Sequence, residues 1–335
     1  MAGKGITYAG SLVADTSFKI DAYPSEGMQC HITEVKYFAG GIGNNICQMA
    51  SIDPTIPVHV CGIAGEDDGG ENFIGIVSEY PNVDLGPLVR EGATSNTLVM
   101  NSLESKQRTF FSRPGGSRIF CEDHIDWDKV DCDIFHLEYL LALAKCDEDD
   151  PEYGTHGARI LHDARERGFR TSIDIVSKDH PKAHHILKSA LAYTDYCIIN
   201  EIETKIVTGI DVMNEDGTIN EELALEALQM MRELGATTWA AIHTTRMACG
   251  LDCKTGEFVS VRSLKIEKDE ILGSTGAGDA FNSGMLYQAY KGSDLRTAMR
   301  FAAATAAMSL LGESGYASVG TEPEIWAFEA ERRVD

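Results

Sequence analysis

The chain has 335 residues, 43% of them hydrophobic, and carries 29 basic against 52 acidic side chains for a formal charge of −23. That length supports one large core, or a large core with a small appendage. The charge opposes binding to nucleic acid or to an anionic membrane, and no apolar run approaches the roughly 20 residues a bilayer span needs.

The opening MAGKGITYAGSLVADTS lacks the apolar stretch of a signal peptide. The nine cysteines are scattered, form no C-x-x-C pair, and are expected to be reduced thiols. Both features lead to the expectation of a cytoplasmic protein.

In chain order, residues 4–13 and 57–63 are expected as short buried strands. Residues 16–38, interrupted by Pro24 and Gly27, alternate apolar and polar side chains, as do residues 95–112. Alternation of period two predicts strands with one face in water, so these segments are expected to form a small separate sheet. From about residue 130 the rhythm changes. Strands at 133–138, 171–176, 195–199 and 238–242 alternate with helices at 154–168, 181–192, 201–208 and 220–235, the pattern of a parallel sheet covered on both faces. The acidic run Asp147 to Glu152 reads as a solvated loop. An antiparallel edge is expected at 247–266, then helices at 277–290 and 294–311. The expected architecture is α/β: a single domain over 1–335, with a mostly parallel central sheet and a small β-sheet inserted into its first third, from about 14–38 and 95–112.

The segment Gly273-Ser-Thr275-Gly276-Ala277-Gly278-Asp279-Ala-Phe281 carries the strongest chemical signal. It is expected to follow a strand and to open a helix. Glycines allow close backbone approach to a ligand, and free N–H groups at a helix N-terminus attract anions. A phosphate would sit against Gly276, Ala277 and Gly278. Asp279, in the first turn, is placed to accept the proton of an attacking hydroxyl. The bland reading is a turn with an aspartate serving the helix dipole.

Two weaker segments point the same way. Gly40-Gly41-Ile42-Gly43-Asn44-Asn45 is expected to enter a helix at about Ile46. It is neither a Walker A loop, lacking Gly-Lys-Ser/Thr, nor a dinucleotide fingerprint. Asn200-Glu201-Ile202-Glu203 follows a strand, where open α/β sheets bind ligands. Glu203 is a candidate for Mg²⁺, held through water because that ion dehydrates reluctantly. The competing reading of this pair is a helix-capping Asn with its Glu.

Together these residues resemble the PfkB/ribokinase family of sugar kinases. The family's motifs appear in order as Gly10-Ser11 with Asp15; Gly40, Gly41, Gly43 and Asn45; Gly62, Gly65 and Asp67; Glu138 in His136-Leu-Glu; Asn200 with Glu203; and Thr275 to Phe281. The resemblance spans nearly the whole chain. It implies a ribokinase-like three-layer sandwich whose small sheet is a lid over the substrate. It implies ATP and Mg²⁺ as co-substrate and metal, Asp279 as base, and an anion hole at Gly276 and Gly278. Asp15, Gly41, Asn45 and Glu138 would contact the hydroxyls of a sugar-like substrate. Glu203 would organise the metal, with Asn200 and Thr275 beside the phosphates. Pairing of two lids into a homodimer would cover the exposed edges and apolar face of the small sheet.

Three departures from the family pattern stand out. Val13 occupies the place where ribose-type members often carry Asn, which counts against ribose. The nucleotide turn reads Ile242-His243-Thr244-Thr245-Arg246 without its usual glycine, so Thr244 and Arg246 become candidate nucleotide contacts, Arg246 as a compensating phosphate ligand. Gly273 stands where potassium-activated members often have Asp. Lys106 and Arg108 would suit an acidic acceptor, although charges on such strands are more often simply solvated. A nucleoside kinase of the same fold and a nucleotide-binding regulator without turnover are the alternative functions.

Overall fold

A computed structural model describes residues 4–333; both ends of the expected 1–335 span lie outside the described residues. Its first strand, Ile6–Gly10, is buried at every position, as befits a strand covered on both faces. It pairs in parallel with Val58–Ala64 on one side and Ile134–Leu140 on the other. The sheet then continues through Arg170–Ile175, Tyr196–Asn200 and Trp239–His243, all parallel. Met247–Asp252 and Phe258–Arg262 close that edge antiparallel. The short strands Val83–Asp84 and Val89–Arg90 pair with Val58–Ala64 at the other edge.

Helices cover both faces. Ile42–Ile52, Ala277–Lys291 and Leu295–Ser309 pack with Tyr8, Val60, Ile198 and Trp239 on one side. His156–Glu166, Ala183–Leu191 and Glu221–Leu234 pack with Phe135, Leu137, Cys197 and Ile199 on the other. The result is a three-layer α/β sandwich. No helix among the described residues is long and apolar enough to cross a membrane.

A second sheet of four strands stands apart, in the order Ile32–Gly41, Leu12–Ile20, Ser95–Ser102, Arg108–Arg113. Its register puts Phe38, Asp15, Thr97 and Ser112 in one row and Lys36, Ser17, Val99 and Phe110 in the next, on one face. The opposite face carries Tyr37, Thr16, Leu98 and Phe111, then Val35, Phe18, Met100 and Thr109.

Four local expectations are corrected. The stretch 4–13 is not one strand: the main-sheet strand ends at Gly10 and Leu12 already belongs to the second sheet. The helix after the glycine turn begins at Ile42 rather than about Ile46, so Asn44 and Asn45 lie inside its first turn. Gly41 makes this early start possible. It has φ +58°, and a Cβ there would come within 1.9 Å of the Ser11 carbonyl oxygen. The run Asp147 to Glu152 is not simply a solvated loop, because Asp150 is buried and accepts two bonds from the Arg159 guanidinium. Finally, no strand directly precedes Gly273; the chain from 263 to 276 is irregular.

Candidate active site

The parallel strands place their carboxyl ends together, where an open α/β sheet has room for a ligand. A cavity of about 860 Å³ opens there, between these strand ends and one face of the small sheet. Asp15, Gly41, Thr275, Gly276, Gly278 and Asp279 line it.

Gly276 caps the helix Ala277–Lys291 in the left-handed region, with φ +82° and no side-chain cap. Its Cα packs so closely on Gly315 that a Cβ would meet that residue's Cα at 2.8 Å. Gln48 fixes the approach: its Nε2 donates to the carbonyls of Gly276 at 3.1 Å and Gly315 at 2.8 Å. No side chain among the described residues caps the helix, and Gly276 and Gly278 line the cavity, so the helix start is a ready anion site. The imidazole of His243 lies against Gly278 from the far side, where a Cβ would sit 3.4 Å from its Cε1. Burial holds His243 neutral by lowering its pKa to about 4.

Asp279 is 8% exposed. Its Oδ2 accepts from Asn44 Nδ2 at 2.9 Å, and its Oδ1 from the Tyr139 hydroxyl at 3.1 Å. Burial pushes its pKa up to about 6, against the opposing pull of these two bonds. Tyr139 reaches it from a strained backbone with φ +67°, a conformation rare outside glycine. Asp15 lies across the cavity. Burial raises it to about 7, with Asp279's charge adding to the rise and a bond from Thr97 opposing it.

Behind Asp279 is a denser concentration of charge. The carboxylate oxygens of Glu138, Asp174 and Asp279 lie within 4.8 Å of one another. Glu138 is fully buried, and among the described residues neither of its carboxylate oxygens has a hydrogen-bond partner. Burial, then Asp279 and Asp174, drive its pKa well above the usual carboxylate range. Asp174 is raised by burial and by its neighbours Glu203 and Asp279.

The other sequence candidates fall outside the cavity wall. Asn200 and Glu203 form a capping box: Glu203 Oε1 accepts from Asn200 Nδ2 at 2.7 Å and from Ser177 Oγ at 2.8 Å, and Oε2 from the Asn200 amide at 3.0 Å. Burial lifts Glu203 to about 7 in spite of these bonds. Asn45 points into the interior, with both amide atoms unpartnered among the described residues; its neighbour Asn44 is the one that reaches Asp279. The Thr244 hydroxyl closes its own turn onto the Met247 carbonyl, and exposed Arg246 donates to the Asp216 carbonyl at 3.3 Å. Asn44, Tyr139, Asp174 and His243 are site residues that motif reading passed over. Of these, Asp174 carries a signal in the sequence, a carboxylate inside the buried run Ile173-Asp174-Ile175.

The sequence profile of the pfkB family of carbohydrate kinases matches residues 9–321. The chain belongs to this family. It is therefore a carbohydrate kinase, a phosphotransferase with an alcohol group as acceptor. Solved structures share the fold of this pfkB-family kinase at low identity. The Arabidopsis thaliana ribokinase complexed with ribose and ATP is 19% identical with a TM-score of 0.76, covering 98% of this chain and 99% of its own. The Escherichia coli phosphofructokinase-2 in complex with potassium is 16% identical, TM-score 0.77, with 98% and 99% covered. The nucleoside kinase of Methanocaldococcus jannaschii is 15% identical, TM-score 0.71, with 99% and 100% covered.

The raised carboxylates make a stability prediction. A folded state that lifts a carboxyl pKa gains stability from the protonated form below the unfolded value near 4 and loses it as pH rises through the folded value. For Asp15 that window runs from about pH 4 to about 7. Asp15→Asn removes the charge, so its melting temperature should exceed that of the wild type at pH 8, with the gap closing by pH 4. Equal melting temperatures at pH 8 would contradict the raised value.

Proposed function

We propose that this kinase transfers the γ-phosphoryl group of ATP to a hydroxyl of a sugar or sugar-like small molecule, with Asp279 as general base. The observation that carries this reading is the position of Asp279, buried in the first turn of a helix whose start lines the same cavity as Asp15.

The triphosphate would lie against the amides of Ala277 and Gly278, with Thr275 beside it. Asp15 would take a substrate hydroxyl as acceptor, with the backbone at Gly41 close by. Asn44 and Tyr139 hold the Asp279 carboxylate in one orientation. As the acceptor oxygen bonds to the γ-phosphorus, its proton passes to Asp279, and the bond from phosphorus to the β,γ-bridging oxygen breaks to release ADP. A carboxylate with a pKa of about 6 is largely ionised at neutral pH yet more basic than an exposed aspartate.

The donor set fits a divalent cation. Oxygens of Glu138 and Asp174 converge beside Asp279, those of Glu138 have no hydrogen-bond partner among the described residues, and hard cations take oxygen ligands, so a cation held by these two leaves Asp279 free as the base. Mg²⁺ bound at this cluster would offset phosphate charge inside a protein of net charge −23. Glu203, its oxygens already bonded to Asn200 and Ser177, would contribute through water.

The small sheet would serve as the lid. Its outer face leaves Tyr37 and Phe111 each 55% exposed and Val35 43% exposed. We propose that two lids pair through these residues in a homodimer. Sedimentation at micromolar concentration should give twice the chain mass, and Phe111→Asp should give the monomer. A wild-type monomer would refute the pairing.

Asp279→Asn keeps the shape, exchanges one acceptor for a donor and cannot take the proton. Its kcat should fall roughly 10²–10⁴-fold, while calorimetry should show ATP still bound. A kcat near that of the wild type would remove Asp279 from its role.

A further inference from the structure

The cavity face of the small sheet has a charge gradient. Near its base are the uncharged Val13 and Ser95, then the row of Phe38, Asp15, Thr97 and Ser112. Lys36 appears in the next row, and Glu34, Lys19, Asn101 and Arg108 form the row beyond it. Lys106, from the hairpin that follows Ser102, completes this outer rim. In a chain of net charge −23, the mouth of the cavity is thus a local collection of cations.

Two of these four cations are already neutralised. Lys19 pairs with Glu34 at 2.6 Å, and Lys36 pairs with Glu34 and Glu313. Lys106 and Arg108 are different. Among the described residues neither has a carboxylate within ion-pair distance. The Arg108 guanidinium has one polar contact among them, Nη1 donating to the Thr275 hydroxyl at 3.3 Å, which swings it across the cavity. Lys106 has φ +59°, its amide is tied to the Ser102 carbonyl at 3.0 Å, and its exposed side chain lines the cavity. Asn101 and Gln107 line the cavity beside them.

A neutral sugar offers these two cations no charged partner. A planar guanidinium with an ammonium beside it suits a carboxylate or phosphate. The rim lies four residues along the strand from Asp15, roughly 13 Å. Arg108 and Lys106 are long enough to reach back toward a monosaccharide whose hydroxyls are held at Asp15.

Resting on the proposed kinase activity, we propose that the phosphoryl acceptor is an anionic sugar, whose charged group is held by Lys106 and Arg108. The group is a carboxylate or a phosphate, and the test separates the two.

The wild-type enzyme would be assayed with ATP and Mg²⁺ against three panels: sugar carboxylates, sugar monophosphates and neutral sugars. One anionic panel should exceed the neutral one in kcat/KM by tenfold or more, and its KM should rise with added salt as charges are screened. Lys106→Ala and Arg108→Ala should each raise KM for that acceptor roughly 10–150-fold, the worth of a charge-assisted hydrogen bond, while KM for ATP stays within twofold or so of the wild-type value. Whichever anionic panel responds identifies the source of charge. Equal kcat/KM for neutral and anionic acceptors overturns the proposal. So does a rise in KM for ATP with none for the acceptor, which would give the cations to the triphosphate. Calorimetry with the same compounds in the absence of ATP separates the two levels of inference. Anionic binding that the variants lose, without turnover, would sink the kinase reading and keep the anionic ligand; binding of neither class sinks the anionic ligand.

Discussion

The site is governed by the cost of burying negative charge. Asp15, Glu138, Asp174 and Asp279 face one another at or beneath the cavity, and no lysine or arginine among the described residues forms an ion pair with any of them. The histidine nearest Glu138 does not relieve the charge. His136 Nε2 is 3.9 Å from Glu138 Oε2, but burial lowers His136 to about 3 and so keeps it neutral. Ionised carboxylates in such a place are expensive unless a proton or a cation accompanies them. The free protein answers with raised pKa values. The working enzyme would answer with Mg²⁺ and with donors from the substrate.

The fold holds these groups in place against that repulsion. Parallel pairing of Ile6–Gly10, Ile134–Leu140 and Arg170–Ile175 brings the strand ends that carry Glu138 and Asp174 side by side. The two bonds to Asp279 come from different elements, Asn44 on the helix Ile42–Ile52 and Tyr139 on the strand Ile134–Leu140, so its orientation depends on the packing of the whole domain. Gln48 locks the Gly276 loop to Gly315 and accepts a bond from Ser283 at 2.9 Å, which joins the anion site to the helix layer beneath it. The strain at Tyr139 is tolerated because strands and helices on every side fix its position.

Much of this was legible in the sequence because it is local. Period-two alternation marked the small sheet, strand–helix alternation marked the parallel sheet, and the Thr275 to Phe281 run marked the turn into a helix. What was not legible depended on register. Whether Asn44 or Asn45 meets the base turns on where the helix starts, and that is set by Gly41 folding against Ser11, a contact between chain segments. A motif at fixed spacing offered Asn45 as a substrate contact, but its side chain is buried in the interior and Asn44 is the one that lines the cavity. Tyr139 and His243 were missed for the same reason: neither shows its importance until the strand ends converge. The acidic run at Asp147 to Glu152 was misread because Arg159, the partner that buries Asp150, lies on the following helix.

The two faces of the small sheet divide its work, one presenting Asp15, Thr97 and the cationic rim to the cavity, the other an apolar surface of Tyr37, Leu98 and Phe111. Both depend on the same pleat, so a slip of one residue in register would exchange them. The central claim is that the cavity carboxylates are lifted by burial and that one of them must be ionised to take a proton. The pH dependence of kcat/KM with saturating ATP and Mg²⁺ tests this most directly. Activity should fall on the acid side with an apparent pKa between about 6 and 7, the values that burial gives Asp279 and Asp15. Activity that holds level down to the ordinary carboxylate range near pH 4 would contradict it.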